Sequence, residues 1–585
     1  MGQGDITILY GSETGNAEEY ARYLKHTLGT YRLKSTLSSL DEFPLKKLIT
    51  DTAFLIIICS TTGQGELPRN AKKFMKFILK RKLPNDLFQH LYLTTFGLGD
   101  SSYSKFNYAI KKIHTRMTQL GCQELSPRSE ADEVSPEGVD GFYVEWEAQV
   151  VQSLLKFFPN TTKLEEASVP MPQFKVTISN HGIETNGDVA SQVKFSEDDS
   201  INIGTVVENK RITSQDHFQD VRDFKIKSED LQYLPGDTIS LYPCNHDQDV
   251  EALLEVQPHW AQIADRPLLI KNAPHIEGGI VKNLTLRTLL KYHLDIMSIP
   301  RRSFFALLWH FCDSSTEDGQ REQEKLKEFG SFEEPEDLYD YANRPRRSIL
   351  ETILEFQNNL VIPIAYILDL FPLIKPRFFS IASRPSASEV EIIVAIVEYK
   401  TIIRRIRRGL CTRWLKSLQP GDEIRFSIQK SSFSYSENKP PIIMVAPGTG
   451  IAPMKSVIDE VLHENTEQEL YLFFGCRFQE KDHLTESFWQ AEYPNLHIFN
   501  CFSRDKGYKY KYVQDGLFDQ YKLIGKLILE ENAKIFVCGS SGKMPQQVKI
   551  TFSEILKKYN SITIEEAQRY ILQMEDNGRY KEDAW

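Results

Sequence analysis

Residues 53–68, AFLIIICSTTGQGELP, run through an almost unbroken apolar stretch and then break into a glycine-rich loop. A strand with one wet face would alternate apolar and polar residues. A continuous run instead demands cover on both faces, the condition of a parallel sheet between helices. The same pattern stands on either side of it, in DITILYGSETGN (5–16) and in LYLTTFGLGDSSYSKFN (91–107). The first of these leads into AEEYARYLKHTLG (17–29), whose apolar residues have helical spacing. In an open α/β sheet a ligand sits beyond the carboxyl ends of the strands, so the three loops are expected to converge on one site. In the first loop Ser12, Thr14 and Asn16 offer polar side chains, Gly15 lets the backbone curl, and the following helix start favours an anion. Taken alone, that loop could equally be a capped turn. A phosphate loop with two loops able to clamp a ring suits FMN.

At 585 residues the chain is too long for one hydrophobic core and calls for roughly three or four domains. Its net charge of -10 argues against a general nucleic-acid binder, which would carry a basic excess. The start, MGQGDITILYGSETGN, has no basic and apolar signal regions, and Ile6 stands where a myristoylation motif wants Ser or Thr. No stretch approaches the roughly 18 apolar residues of a membrane span. The expectation is a cytoplasmic chain without a membrane anchor, with mitochondrial association left open. Eight cysteines with no C-x-x-C fit reduced thiols rather than a disulfide framework or a metal site.

FFPNTTKLEEASVPMP (157–172) marks a change of texture, and strands and turns follow. The expected divisions are a first domain at 1–157, a linker at 158–170, a strand-rich domain at 171–435 and a last domain at 436–585. Within the second, about 246–372 reads as a helical, charged insertion that sets spacing rather than chemistry. RFFSIAS (377–383) places an Arg beside aromatics and a Ser, able to bind a diphosphate and cover a ring. GLCTRWL (409–415) opens on Gly409 and runs into a helix, so its amides and Thr412 can face another phosphate. PIIMVAPGTGIAPMKSVI (441–458) is a buried-type strand, a glycine turn and a helix start, with Pro453 where a dinucleotide fingerprint wants Gly or Ala. LYLFFGCRF and KIFVCGSSGKM supply two more strand-to-loop junctions, and FSRDKGYKYKYVQ (502–514) gathers the cations and hydroxyls that a ribose 2′-phosphate requires. An acidic run, SEADEVSPEGVDGFYVEWEAQV (129–150), and a basic one, RRIRR (404–408), read either as solvated faces or as docking surfaces.

Together these motifs resemble the NADPH-dependent diflavin reductases over nearly the whole chain. GSETGN, STTGQGE and FGLGDSSYSKFN resemble their flavodoxin-like FMN domain, RFFSIAS and GLCTRWL the FAD-binding barrel of the ferredoxin reductase family, and APGTGIAP its nicotinamide-binding domain. The implied architecture is α/β multidomain: a flavodoxin-like domain, an antiparallel β-barrel with a helical insertion, and a Rossmann-like NADPH domain. The resemblance implies FMN contacts from Ser12, Glu13, Thr14, Gly15, Asn16 and Ala17, from Ser60, Thr61, Thr62, Gly63 and Gly65, and from Gly97, Leu98, Gly99, Asp100, Phe106, Asn107 and Asp132, with Tyr103 stacked on the ring. Thr62 stands where microsomal members have a second stacking tyrosine. FAD would meet Arg377, Phe378, Phe379, Ser380, Tyr399, Gly409, Leu410, Cys411, Thr412 and Trp585. NADPH would meet Gly448, Thr449, Gly450, Cys476, Arg477, Ser503, Arg504, Tyr512, Gln514 and Cys538, and either Lys509 or Lys511.

By the same resemblance Ser380, Cys538 and Asp583 line the hydride-transfer site and Trp585, in the closing KEDAW, is its movable lid; Cys538 could equally be a small buried residue. The electron acceptor implied by likeness to the cytosolic members of iron-sulfur protein assembly is an anamorsin-like iron-sulfur protein. The flavoprotein subunit of sulfite reductase is the alternative, and a non-catalytic flavin-binding scaffold is the reading of a different class.

Overall fold

Alternate residues of the first long apolar run go to opposite faces. Ile56 and Ile58 pack into one core with the helices Asn16–Thr30 and Gly138–Phe157; Leu55, Ile57 and Cys59 pack into another with the helices Lys72–Ile78 and Tyr108–Gln119. The computed structural model describes residues 5–584 apart from 64, 104, 137, 166–167, 180–192, 197, 199, 272, 403, 431–438, 465–466 and 490–492. Strands are numbered β1 to β21 along the chain. The run belongs to a parallel sheet of β1 (Asp5–Gly11), β2 (Ser35–Ser39), β3 (Thr52–Ser60), β4 (Tyr92–Gly99), β5 (Gln123–Glu124) and β6 (Ser129–Asp132), in the order β2-β1-β3-β4-β5 with β6 also on β4. This sheet lies in the first of two units, which takes in 1–194, 245–276 and 281–373. The remainder of that unit is mainly helical, including Arg302–Leu308, Glu317–Phe329 and Ile349–Glu355, with one antiparallel ribbon, β7 (Lys175–Ile178) on β11 (Leu268–Lys271). Thr285 and Ser348 each close a capping box, so these helix starts are written locally in the sequence.

The second unit takes in 195–244, 277–280 and 374–585. An antiparallel sheet combines β8 (Asn202–Arg211), β9 (Val221–Lys227), β10 (Thr238–Leu241), β12 (Arg377–Ser380), β13 (Glu389–Ala395) and β16 (Glu423–Gln429), in the order β12-β10-β16-β8-β9-β13. The expected closed barrel is not formed. The end strands β12 and β13 meet only at the bridge Ile381–Ile392, because β12 has four residues and the Pro385 turn follows it. A ribbon of β14 (Glu398–Lys400) and β15 (Ile406–Arg408) stands apart. The last sheet is parallel: β17 (Ile442–Pro447), β18 (Leu470–Cys476), β19 (Leu496–Phe502), β20 (Lys534–Gly539) and β21 (Tyr580–Ala584), in the order β19-β18-β17-β20-β21. Its two faces again feed separate cores, Ile443 and Val445 to one, Ile442, Met444 and Ala446 to the other. All eight cysteines are free. No helix among the described residues is long and apolar enough to cross a membrane.

Candidate functional site

In the first unit the three expected loops leave the same end of the sheet, after β1, β3 and β4. Gly15 caps its helix in a left-handed conformation, φ 94°, which a side chain would strain. Its amide donates to Ser12 Oγ (3.0 Å), and the Ser12 amide donates to Asn70 Oδ1 (2.9 Å). Glu13 is tied to Arg69, accepting from its backbone amide at 2.9 Å. The amides of Thr14, Asn16 and Ala17 have no hydrogen-bond partner among the described residues. Such a set of convergent, unpaired donors at a helix start fits a phosphate. In the second loop Thr61 bonds both neighbours, its amide to Leu98 O (3.0 Å) and its hydroxyl to the Ala109 amide (3.3 Å), while Thr62 bridges to Glu66 around left-handed Gly63 and Gly65. Ser60 ends β3, its hydroxyl 3.4 Å from Gly11 O.

The third loop is braced from inside. Asn107, buried and left-handed, donates to Ala131 O (2.9 Å), and its amide lies where a side chain on Gly97 or Gly99 would have to go. Leu98 is buried between them. Asp100 caps Ser102 (2.8 Å) and Asp132 caps Ser101 (3.0 Å). Tyr103 stands 49% exposed, free to cover a flat ring, and Phe106 is partly exposed beneath Lys111. Much of the acidic run that follows is paired within the first unit. Glu130 pairs with Lys111 (3.0 Å) and Arg128 (2.8 Å), and Asp140 accepts from Tyr20 and Arg302. Glu133 and Glu145 of this run are exposed.

In the second unit, β21 lies on β20 with Asp583 directly beside Cys538, and Ser380, at the end of β12, lies near enough to lower the Asp583 carboxyl. Residues from three distant strands therefore meet at one point. Burial raises the Asp583 carboxyl above its ordinary range, opposed by the nearby Ser380 hydroxyl. Burial also raises the Cys538 thiol, and the charge of Asp583 adds to it, so this sulfur is held as a neutral thiol. Phe378 and Phe379 are half-buried beside Ser380 on β12. Arg377 donates to Lys375 O (2.7 Å) and lies close enough to lower the Cys411 thiol, which burial pushes up to about 12. Gly409 caps the helix Leu410–Ser417, Thr412 Oγ1 accepts from the Val397 amide (3.1 Å), and the Leu410 and Cys411 amides have no partner among the described residues. These donors beside a guanidinium fit a pyrophosphate. Tyr399 is 45% exposed on β14, and in the basic run next to it Arg408 pairs with Glu398 (3.0 Å).

The loop after β17 approaches the same strand. A side chain on Gly450 would come within 2.1 Å of Cys538 O, whereas left-handed Gly448, φ 59°, faces open space, with Thr449 between them. The Ser503 and Arg504 amides donate to Cys476 O and Arg477 O (2.9 Å each), stitching the ends of β18 and β19 together. The Cys476 thiol is raised by burial, and the Arg477 guanidinium lies 4.0 Å from the centre of the Phe218 ring. Lys509 is held 2.6 Å from the Asp519 carboxylate, whereas Lys511 and Tyr512 give only their amides to Asp515 (3.0 and 2.8 Å). Lys509 and Gln514 line a cavity of about 500 Å³. Trp585 lies outside the described residues.

One participant was not foreseen. Arg301, from the helical insertion, reaches the loop after β1 and binds its carbonyls. The only sequence signal is the PRRS string at 300–303, a basic pair opening a helix.

Comparison with known proteins fits this division of labour. Residues 8–146 match the flavodoxin family, 197–414 the FAD binding domain family and 444–549 the oxidoreductase NAD-binding domain family. The chain is 68% identical to the NADPH-dependent diflavin oxidoreductase 1 of Candida albicans over 100% of both chains. It is 56% identical to that of Debaryomyces hansenii over 99% of this chain and 98% of the relative, and 41% identical to that of Saccharomyces cerevisiae over 99% of each. The chain belongs to the family of NADPH-dependent diflavin oxidoreductases. It is an oxidoreductase whose cofactors are FMN, FAD and NADPH.

Proposed function

We propose that this chain carries electrons from NADPH through FAD and FMN to an anamorsin-like iron-sulfur protein, in the cytoplasmic assembly of iron-sulfur clusters. The observation that supports the hydride step most directly is the meeting of Ser380, Cys538 and Asp583. A flavin, when bound, takes a hydride pair and releases electrons singly, which no side chain can do. The chain's own part is positioning and electrostatics. The Ser380 hydroxyl lies close to Asp583, and the buried carboxyl holds its proton more tightly than an exposed one, so the pair can balance charge that shifts beside it. Cys538 stays a compact neutral thiol that leaves room for a ring.

The other assignments follow the donors. The Thr14, Asn16 and Ala17 amides take the FMN phosphate, with Tyr103 on the ring. Arg377, Thr412 and the amides of Leu410 and Cys411 take the FAD pyrophosphate. Ser503, Arg504 and Tyr512 take the 2′-phosphate with Lys511, because the ammonium of Lys509 is already neutralised by Asp519. Trp585 is the lid over FAD. The acceptor rests on the resemblance in length and in STTGQGELP with Thr62.

The purified protein should be yellow and should bleach anaerobically with NADPH and not with NADH. It should then reduce a purified anamorsin-like iron-sulfur protein, read from the acceptor's visible spectrum. Reduction of a sulfite reductase haem subunit in its place would move the chain to the alternative acceptor. A colourless protein that cannot be reconstituted with flavins would leave only a scaffold.

A further inference from the structure

Three consecutive residues of the helical insertion grip the flavodoxin-like domain within the first unit. Arg302 donates to Asp140 (3.2 Å) and lies over the Phe332 ring, and Ser303 gives its amide and its hydroxyl to the Glu19 carboxylate (2.6 and 2.7 Å). Both residues hold one surface to another. Arg301 does something else. Its Nη1 donates to Gly15 O (2.7 Å) and, more weakly, to Asn16 Oδ1 (3.4 Å), while Nη2 donates to Thr14 O (3.1 Å). A side chain on Gly15 would crowd that guanidinium at 3.0 Å as well as strain the φ.

The carbonyl of Gly15 and the amide of Asn16 belong to one peptide group. Arg301 binds the oxygen end, and the N–H end points away without a partner among the described residues. A cation on the oxygen polarises the group and makes the N–H a stronger donor, and the charge itself lies a few bonds from any anion bound there. The flavodoxin-like domain alone does not supply this charge.

We propose that Arg301 is a positioning residue for FMN: it backs the phosphate loop, strengthens the Asn16 amide toward the phosphate, and couples FMN binding to the seating of the helical insertion on the flavodoxin-like domain. The inference rests on the assignment of this loop to the FMN phosphate. Coupling is reciprocal, so what the insertion does for FMN, FMN does for the insertion.

The test uses the full-length protein retaining FAD and stripped of FMN, titrated with FMN and with riboflavin, which lacks the phosphate. Arg301→Ala should weaken FMN by about tenfold or more and riboflavin by less than about twofold, a size typical of coupled sites. Arg301→Lys should lie between. Ser303→Ala, which loosens the same seam without touching the loop, should leave the ratio of the two affinities unchanged. In the unsubstituted protein FMN should slow hydrogen exchange across 302–308 and riboflavin should not, and Arg301→Ala should abolish the difference. Equal losses for both flavins, or no loss for either, would make Arg301 a structural clamp and overturn the proposal. Failure of the unsubstituted protein to bind FMN would instead overturn the assignment of the loop itself. Should Arg301→Ala fail to retain FAD, the Arg301→Lys affinity ratio decides.

Discussion

The loop after β1 and the loop after β17 stand at equivalent places, each between a parallel strand and a helix, and each is shaped by glycine. What presses on the glycine differs. Behind Gly15 stands the guanidinium of Arg301, 286 residues further along the chain. Behind Gly450 stands the carbonyl of Cys538, on the neighbouring strand of the same sheet. The first loop takes its backing from the helical insertion, outside its own sheet, whereas the second is backed by its own hydrogen-bonded sheet. A dinucleotide loop of this kind is expected to keep its shape whatever the insertion does. The phosphate loop is expected to respond to it.

The largest effect should come from the self-contained site. Ser380→Ala and Asp583→Asn are each expected to slow flavin reduction by NADPH about a hundredfold, with NADPH affinity nearly unchanged, as for loss of a preorganised donor. Stopped-flow traces at unchanged rate would leave the trio as packing alone. Next, Gly450→Ala should cost about 2 to 3 kcal/mol of stability, the scale of overpacking against rigid backbone, and Gly448→Ala about 1 kcal/mol for its left-handed φ. Calorimetry that found the two equal would erase the distinction between a packed and an open glycine.

A third prediction concerns the borrowed side. His26, on the helix after the phosphate loop, is pushed down from its ordinary 6.5 to about 4, chiefly by burial, with the nearby His310 of the insertion and Lys25 contributing. It is neutral in the fold and protonated in the unfolded chain between those values, so its contribution is present above pH 6.5 and is lost as pH falls toward 4. The loss should be roughly 3 kcal/mol. Thermal unfolding followed across that window should show a shallower decline in His26→Gln; an unchanged slope would mean that the acid sensitivity lies elsewhere. The smallest effect should be on cofactor choice. Lys511→Ala is expected to raise KM for NADPH about tenfold without changing that for NADH, the scale of one charge-assisted contact, and Lys509→Ala much less. The reverse order would show that Asp519 releases Lys509 to the phosphate.

Much of the framework was legible in the chain. The runs at 53–60, 442–447 and 470–476 are strands of parallel sheets, as continuous apolar sequence requires, and the glycine loops stand at their carboxyl ends. The helical insertion was legible as helix but not as a contributor to the phosphate loop, since PRRS carries no sign of the surface it meets. The barrel was legible as strands and turns, yet its closure was not, because closure depends on whether β12 and β13 are long enough to share a ladder. The acidic run read either as a solvated face or as a docking surface, and only the fold shows Glu130 paired with Lys111 and Arg128, and Asp140 with Tyr20 and Arg302.

By itself, then, the sequence determined the elements: apolar periodicity, glycine and capping residues act within a few positions and need no distant partner. The tertiary structure decided which polar groups meet. Ser380 comes beside Asp583 and Arg301 arrives behind Gly15 because these positions lie far apart in the chain and meet only in the fold, while Lys509 is held by Asp519 where its loop turns into the following helix.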